Sequence, residues 1–165
     1  MVNIIIPVYK GKDTLPKTLD SLIAQTERKF FVTVVQDCDG EDYSDIIKNY
    51  SARLHINLLC MDSNSGPGMA RAKGLEASEM FDYVMFLDAD DMLMPNAVST
   101  LYKEAKRNNA DVVSSAFIWE QTYASNKTLS KEENTTTWVH GKIYRTEYLR
   151  SKGINFIQEL NHRIK

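Results

Sequence analysis

Val2-Asn3-Ile4-Ile5-Ile6-Pro7 stands at the start of the chain and is an apolar run dominated by β-branched residues. A run of this kind, without alternation of polar and apolar positions, is typical of a β-strand that is buried on both faces. The next segment, Asp13-Thr14-Leu15-Pro16, has the features of a helix start, and apolar residues then recur at helical spacing through Leu22. A doubly buried strand followed by an amphipathic helix predicts the first unit of a parallel α/β sheet.

The same alternation of strand and helix repeats along the rest of the chain. The later predicted strands are Phe30–Val35, His55–Met61, Tyr83–Leu87 and Asp111–Trp119. The later predicted helices are Tyr43–Ala52, Met69–Ser78, Asn96–Asn108 and Thr146–Lys152. Residues 120–137 are polar and predict a mobile loop, and Trp138–Arg145 predicts a short strand with a turn. The sequence therefore predicts an α/β fold whose mostly parallel central sheet is flanked by helices on both faces.

Length and composition restrict the class of protein. The chain has 165 residues, of which 43% are hydrophobic and 25% charged, as expected for one folded domain and not for a disordered or fibrous protein. A net charge of −2 argues against a general nucleic-acid partner, which would require a basic surface. No run approaches the roughly 18 apolar residues of a membrane span, and the N-terminus lacks the pattern of a signal peptide. We therefore expect a cytoplasmic chain without a transmembrane segment.

Ligands of parallel α/β sheets bind beyond the carboxyl ends of the strands. The predicted strand exits in this chain are Pro7–Lys10, Asp37–Asp42, Asp62–Gly68 and Asp88–Asp91. All of them carry polar or helix-breaking residues, and three carry carboxylates. This coincidence predicts a polar ligand site at that edge of the sheet.

The carboxylates Asp88 and Asp90 directly follow the fourth predicted strand and are separated by one alanine. Alternate residues of an extended chain project to the same side, so both carboxylates are expected to face one ligand. Mn²⁺ and Mg²⁺ prefer carboxylate oxygens and commonly share their coordination with substrate phosphates. The pair predicts a clamp for a metal and a diphosphate, and the alternative is that the acids cap the next helix or only face water.

A glycine-rich turn, Asn64-Ser65-Gly66-Pro67-Gly68, leads from the third predicted strand into a helix that carries Arg71. Free backbone N–H groups at a helix N-terminus favour anions, and an arginine can bind phosphate through two parallel hydrogen bonds. The Gly-Lys-Ser/Thr ending of a P-loop is missing, and the glycines do not follow the first strand as in a dinucleotide fingerprint. The alternative is an ordinary loop beside an exposed arginine.

These segments, in this order and spacing, resemble the family 2 nucleotide-sugar glycosyltransferases of the GT-A fold, over essentially the entire chain. The matching segments are Ile4-Ile5-Ile6-Pro7-Val8-Tyr9, Leu19-Asp20-Ser21-Leu22-Ile23-Ala24-Gln25-Thr26, Val34-Val35-Gln36-Asp37, Asn64-x-Gly66-x-x-x-Ala70-Arg71-x-x-Gly74-Leu75, Phe86-Leu87-Asp88-Ala89-Asp90-Asp91 and Gly141-Lys142-Ile143-Tyr144-Arg145. The resemblance implies one GT-A domain over residues 1–165. It also implies inverting, metal-dependent transfer of a sugar from a nucleotide-sugar donor, expected to be a UDP-sugar, to a hydroxyl of a glycan or other acceptor.

The resemblance also implies roles for individual residues. The implied nucleotide-binding residues are Pro7, Val8, Tyr9, Asp37, Asn64, Gly66, Arg71 and Asp88. Within this set, Tyr9 would pack on the base, Asp37 would accept the uracil N3–H, and Asp88 would lie by the ribose. Asp90, with Asp88, would hold Mn²⁺ or Mg²⁺. The family pattern Asp-Asp-Gly-Ser is replaced here by Asp37-Cys38-Asp39-Gly40, and Asp37 as a local turn-former remains an alternative.

The general base that the resemblance implies has no match in this sequence. The family places an Asp shortly after a Gly-x-x-Phe stretch, but here residues 153–156 are followed by a segment without Asp, and no Asp occurs after Asp111. The remaining candidates are Asp91, Glu159 and His140. We therefore expect a chain that lacks the C-terminal elements on the acceptor side, and the alternative function is a donor-binding module with little or no transfer. Trp138 and His140 border the expected acceptor region, where Trp138 either offers a flat face to a sugar ring or packs in the core.

Overall fold

A computed structural model describes residues 1–123, 126–133, 138–154 and 156 of the chain. The strands are β1 Val2–Val8, β2 Phe30–Gln36, β3 His55–Cys60, β4 Tyr83–Phe86, β5 Val112–Ser114, β6 Phe117–Tyr123, β7 Asn126–Glu132 and β8 Lys142–Arg145. The helices are α1 Leu15–Ile23, α2 Ser44–Tyr50, α3 Gly66–Glu76, α4 Ala97–Arg107 and α5 Thr146–Ser151.

The central sheet has the strand order β3-β2-β1-β4-β8-β5. Strands β3, β2, β1 and β4 are parallel, with Ile5 of β1 opposite Thr33 on one side and Phe86 on the other. Strand β8 runs antiparallel to both β4 and β5. The mostly parallel sheet predicted from the sequence is therefore confirmed, and the carboxyl ends of β1, β2 and β4 lie at one edge.

Strand β1 is buried on both faces, as its apolar run, interrupted only by Asn3, predicts. Because successive side chains of a strand point to opposite faces, Ile4 and Ile6 pack in the cluster that contains Leu19 of α1 and Leu101 of α4. Ile5 packs in the cluster on the other face, which includes residues of α3 and α5. Helices thus cover both faces of the sheet.

Gly74 sets the distance between α3 and the sheet. A Cβ atom at this position would lie 2.3 Å from Cγ2 of Ile5 and 3.3 Å from Cγ2 of Val35. Both neighbours are fully buried, so they have no free space into which to move. Glycine therefore allows α3 to lie close on β1 and β2, and this placement carries Arg71, one turn earlier, towards the sheet edge.

Gln25 connects the end of α1 to the segment that leads into α4. Its amide nitrogen donates to the carbonyl oxygen of Met94 at 2.8 Å, and its amide oxygen accepts the backbone N–H of Val98 at 3.1 Å. The side chain is only 3% exposed. A buried amide needs its partners, so these bonds fix residues 94–98 next to α1.

The region after α4 differs from the sequence prediction. The single strand expected over Asp111–Trp119 is two strands, of which β5 joins the central sheet and β6 pairs with β7 in a separate hairpin. The mobile loop expected over residues 120–137 is therefore wrong for the part that β6 and β7 occupy. The described hairpin side chains are mostly exposed, so no buried face imposes the alternation of apolar and polar residues by which a strand is recognised in a sequence.

Among the described residues, no helix is both long enough and apolar enough to cross a bilayer.

Candidate functional site at the carboxyl edge of the sheet

The residues predicted to bind a nucleotide follow strands that end side by side. The N–H of Asp37, just after β2, donates to the carbonyl oxygen of Val8 at the end of β1. The N–H of Leu87, just after β4, donates to the carbonyl oxygen of Ile5 in β1. Parallel pairing therefore brings Asp37 and Asp88 to the same edge, on the two sides of β1.

Asp37 caps the N-terminus of α3. Its Oδ1 accepts the backbone N–H of Ser65 at 2.8 Å, and its Oδ2 accepts that of Gly66 at 2.7 Å. The residue is 2% exposed. Gly66 has φ +84°, a backbone conformation that favours glycine. The sequence predicts that free N–H groups at the start of α3 favour an anionic ligand. Two of these N–H groups are instead bound to a carboxylate of the chain itself. Asn64, just before this turn, is exposed.

Asp39 organises the loops after β1 and β2. Its carboxylate accepts hydrogen bonds from the backbone N–H of Lys10 at 2.6 Å, the backbone N–H of Glu41 at 3.0 Å, the Gln36 amide at 2.8 Å and the Tyr43 hydroxyl at 2.7 Å. Burial raises the pKa of Asp39, but these hydrogen bonds, that from Tyr43 foremost, outweigh it and lower the pKa to about 2. The sequence shows that this loop is altered but does not identify Asp39 as its centre, because hydrogen bonds within a turn and to the distant Lys10 N–H leave no periodic pattern.

The predicted base-binding residues of β1 have different surroundings. Tyr9 is 48% exposed, and the Lys10 amine lies 5.4 Å from the centre of its ring. Val8 is 2% exposed, and its side chain packs in the core cluster that contains Leu19. Pro7 is buried within the strand. Of the three, only Tyr9 presents its side chain to a ligand at the surface.

Arg71 of α3 and Asp88 after β4 form an ion pair. Nη2 of Arg71 lies 2.5 Å from Oδ1 of Asp88, and the side chains are 13% and 36% exposed. Nε of Arg71 is buried and has no hydrogen-bond partner within the part of the chain that the structure describes. The guanidinium therefore holds Asp88 in place and retains an unused donor.

The acidic segment after β4 is a turn and not an extended chain. The N–H of Asp91 donates to the carbonyl oxygen of Asp88 at 3.1 Å. The turn brings side chains three residues apart together, so Asp88, Asp91 and His140 offer ligand atoms that all lie within 4.8 Å of one another. Asp90 is exposed and is not a member of this group. The chain from Asp88 to Asp91 is therefore not the extended segment that the sequence prediction assumed. The metal role predicted for Asp90 remains a prediction.

The group Asp88, Asp91 and His140 is hereafter called the acidic triad. Partial burial of the Asp91 carboxyl, although the residue as a whole is exposed, raises its pKa, and the negative charges of Asp88 and Asp90 raise it further. His140 opposes this shift. The two carboxylates and the imidazole offer donor atoms for a divalent cation. Such a cation would neutralise the repulsion between the carboxylates. The residues present therefore fit a Mn²⁺ or Mg²⁺ ion.

His140 also belongs to a group of aromatic rings. Its ring stacks on Trp138 at a centroid distance of 5.5 Å and an interplanar angle of 22°, and it meets Phe117 edge-on at 4.9 Å. His140 and Asp91 are thus the two base candidates that lie within the acidic triad. The third candidate, Glu159, lies outside the described residues.

A cleft of about 700 Å³ lies elsewhere in the described part of the chain. It is lined by residues that include Asp82, Lys106 and Arg145. Asp82 precedes β4 and Arg145 ends the antiparallel β8, so this cleft lies at the amino edge of the parallel strands. Size alone therefore does not identify the candidate site, which is defined by the chemistry of its side chains.

Comparison with known proteins identifies relatives of the chain. It is 35% identical over 111 residues to the glycosyltransferase GlyA of Streptococcus pneumoniae, in an alignment that covers 67% of this chain and 16% of GlyA. It is 27% identical over 184 residues to the uncharacterized glycosyltransferase YibD of Escherichia coli, covering 98% of this chain and 53% of YibD. It is 27% identical over 172 residues to the poly(ribitol-phosphate) beta-N-acetylglucosaminyltransferase TarS of Staphylococcus aureus, covering 96% of this chain and 30% of TarS. The chain thus spans at most about half of these relatives.

Solved structures share the fold. The crystal structure of residues 1–349 of S. aureus TarS in complex with UDP matches with a TM-score of 0.79 and 25% identity, over 98% of this chain and 52% of that one. The mannosyltransferase PcManGT from Pyrobaculum calidifontis, in complex with GDP-Man and Mn²⁺, matches with a TM-score of 0.62 and 20% identity over 68% of this chain and 34% of that one, a likeness of fold alone. A family model described as glycosyl transferase family 2 matches residues 3–161. The chain therefore belongs to glycosyl transferase family 2.

Proposed function

We propose that this chain binds a UDP-sugar and transfers the sugar, with inversion at the anomeric carbon, to a hydroxyl of a glycan or other acceptor. Membership of glycosyl transferase family 2 supports nucleotide-sugar chemistry. The UDP complex of the relative TarS supports uridine as the nucleoside. A cytoplasmic location remains a prediction from the sequence.

The observation that carries the proposal is the arrangement around Asp88. Its carboxylate pairs with Arg71 on one side and belongs to the acidic triad on the other. A diphosphate is a multiply charged anion, so it requires cationic partners. Arg71 and a cation held by the acidic triad would both lie next to Asp88, at the carboxyl edge of the sheet where ligands of such folds bind. Tyr9, half-exposed at the end of β1, offers a ring on which a base can stack.

Asp88, Asp91 and His140 would hold the divalent cation, in place of the pair Asp88 and Asp90 expected from the sequence. When bound, the cation would supply electrostatic stabilisation of the negative charge that develops on the leaving diphosphate. Mn²⁺ and Mg²⁺ both accept carboxylate oxygens, and the imidazole nitrogen favours Mn²⁺ of the two.

The chain's own groups would perform the other parts of the reaction. Arg71 has further N–H donors beyond the one bound to Asp88, and its charge would stabilise the diphosphate oxygens. The acceptor oxygen would form a bond to the anomeric carbon from the face opposite the leaving diphosphate, whose bond to that carbon breaks. The acceptor proton would pass to a base, for which Asp91, His140 and Glu159 are the candidates from the sequence.

The second candidate function is a donor-binding module with little transfer. It is favoured by the position of the two described base candidates, Asp91 and His140, because both lie within the acidic triad. A group that coordinates a cation cannot accept a proton at the same atom. If both serve as ligands, the described residues bind the donor well and lack a separate base at this cluster.

The test is calorimetric titration of UDP with and without Mn²⁺, on the wild type and on Asp88→Asn, Asp91→Asn and Asp90→Asn. We expect Mn²⁺ to strengthen UDP binding about tenfold or more, and Asp91→Asn to remove most of this gain. Asp62→Asn, an exposed acid after β3, is the matched control and should behave as the wild type. Equal UDP affinity in every sample would overturn the metal-assisted site. A loss in Asp88→Asn and Asp90→Asn but not in Asp91→Asn would support the ligand pair expected from the sequence.

A donor assay then separates the two functions. UDP release from UDP-sugars, with the anomeric configuration of the product followed by NMR, reports transfer and its stereochemistry. Retention of configuration would refute inversion. UDP binding without release of UDP from any donor would favour the binding module.

A further inference from the structure

Both tryptophans of the chain are exposed, and ring contacts link them to His140 of the acidic triad. The sequence contains two tryptophans. Trp119 on β6 is 43% exposed, and Trp138 before β8 is 45% exposed. Large aromatic side chains contribute most to the stability of a fold when they are buried. Two half-exposed tryptophans beside a candidate site therefore indicate a binding surface.

The two tryptophans are the ends of a continuous row of rings. The Trp119 ring lies 6.4 Å from that of Phe117, which meets His140 at 4.9 Å, and His140 stacks on Trp138 at 5.5 Å. We call these four residues the aromatic row. Because His140 is also a member of the acidic triad, the row begins at the proposed reaction centre and extends onto the hairpin.

Polar groups accompany the rings. In the antiparallel pairing of the hairpin, Trp119 is opposite Ser130 and Phe117 is opposite Glu132, and residues directly opposite share one face. A sugar ring has an apolar face of C–H groups and an edge of hydroxyls. Aromatic faces next to hydroxyl and carboxylate groups match both parts of such a ligand.

The strand order places the row on the acceptor side. In the order β3-β2-β1-β4-β8-β5, the predicted nucleotide residues other than Asp88 lie at the ends of β1 and β2 or follow β3, and Asp88 follows β4. Strands β8 and β5, from whose ends Trp138 and β6 extend, lie on the other side of β4. A donor held over β1 and β4 therefore has its sugar between the nucleotide site and the aromatic row.

We propose that the aromatic row, formed by Phe117, Trp119, Trp138 and His140, binds the acceptor saccharide by stacking its sugar rings. The inference rests on the proposed function, since it takes the acidic triad as the place of transfer. The aromatic row is longer than a single sugar ring, so it suits an oligosaccharide better than a monosaccharide.

The experiment uses the tryptophan emission of the intact chain, which comes entirely from the row. Chitotetraose, cellotetraose and maltotetraose are titrated separately as neutral oligosaccharide probes. We expect at least one to shift the emission to shorter wavelength with a Kd of about 1 mM or tighter. Trp138→Ala and Trp119→Ala should each weaken that binding about tenfold, and Met80→Ala, an exposed side chain at the other edge of the sheet, should not.

His140→Phe separates the ring from the metal ligand. It keeps an aromatic ring in the row, so saccharide binding should remain within about twofold of the wild type, while the Mn²⁺ dependence of UDP binding is lost. UDP titration of every variant distinguishes the two proposals. UDP binding with no emission shift for any probe at about 10 mM overturns the acceptor row and leaves the proposed function standing. An emission that changes with protein concentration alone would instead assign the row to contact between copies and overturn the inference.

Discussion

The cap that Asp37 provides to α3 gives a prediction that can be worked from its geometry. Asp37→Ala removes the acceptors of the Ser65 and Gly66 N–H groups, at 2.8 and 2.7 Å. Hydrogen bonds to a charged group contribute about 1.5–3 kcal/mol each. Since Ser65 and Gly66 are only partly buried, water can replace part of this contribution. We therefore expect the free energy of unfolding to fall by about 2–4 kcal/mol, and the midpoint temperature by about 5–12 °C.

Urea and thermal unfolding, followed by far-UV circular dichroism, measure this loss. Asp37→Asn retains one acceptor oxygen but turns an amide N–H₂ towards a backbone donor, so its loss should approach that of the alanine variant. Asp62→Ala removes an exposed acid of the same loop and should change stability by less than about 0.5 kcal/mol. A loss for Asp37→Ala as small as that of the control would refute the capping role. If Asp37→Ala in that case greatly weakened UDP binding, the direct contact with uracil implied by the family resemblance would be favoured.

Further predictions concern the packing and the loops around the site. Gly74→Ala should lower the free energy of unfolding by about 1–3 kcal/mol, because its Cβ would lie 2.3 Å from Cγ2 of Ile5. The control Glu76→Ala, on the exposed side of α3, should not lower it by this amount. Asp39 has a pKa lowered from 3.8 to about 2, so its stabilisation is complete above pH 3.8 and is lost as the pH falls towards 2. Discounted for partial exposure, this amounts to about 1–2 kcal/mol, and Asp39→Asn should flatten the dependence of stability on pH in that window. Gln25→Leu should cost about 1–3 kcal/mol, because the N–H of Val98 loses its buried acceptor. Urea unfolding measures each variant.

Each of these expectations has a contrary result. Unchanged stability of Gly74→Ala would mean that α3 can move away from the sheet without cost. Parallel pH curves for the wild type and Asp39→Asn would show that the carboxylate is not preferentially ionised in the folded state. A Gln25→Leu protein as stable as the wild type would show that water or another group satisfies the Val98 N–H.

The strands and the edge that carries the site were predictable because they depend on local pattern. The mostly apolar run of β1 predicts burial on both faces, and the core clusters on the two faces of the sheet bear this out. Strand and helix alternation implies parallel pairing, which brings the strand exits together. Asp88 could therefore be predicted to belong to a ligand site before its contacts were known. Weak patterning in the exposed β6–β7 hairpin explains why those strands were missed.

The sequence by itself determined the α/β class, the doubly buried first strand and the edge at which polar residues gather, since these follow from hydrophobic period and chain order. Only the tertiary structure decided which side chains meet there. A single turn after β4 joins Asp91, not Asp90, to Asp88, and β8 brings His140 to them from about fifty residues further along the chain. Asp37 bonds to the backbone at the start of α3, 28 residues further along the chain. Such contacts depend on turn geometry and on strand order in space, and neither has a period that can be read along the chain.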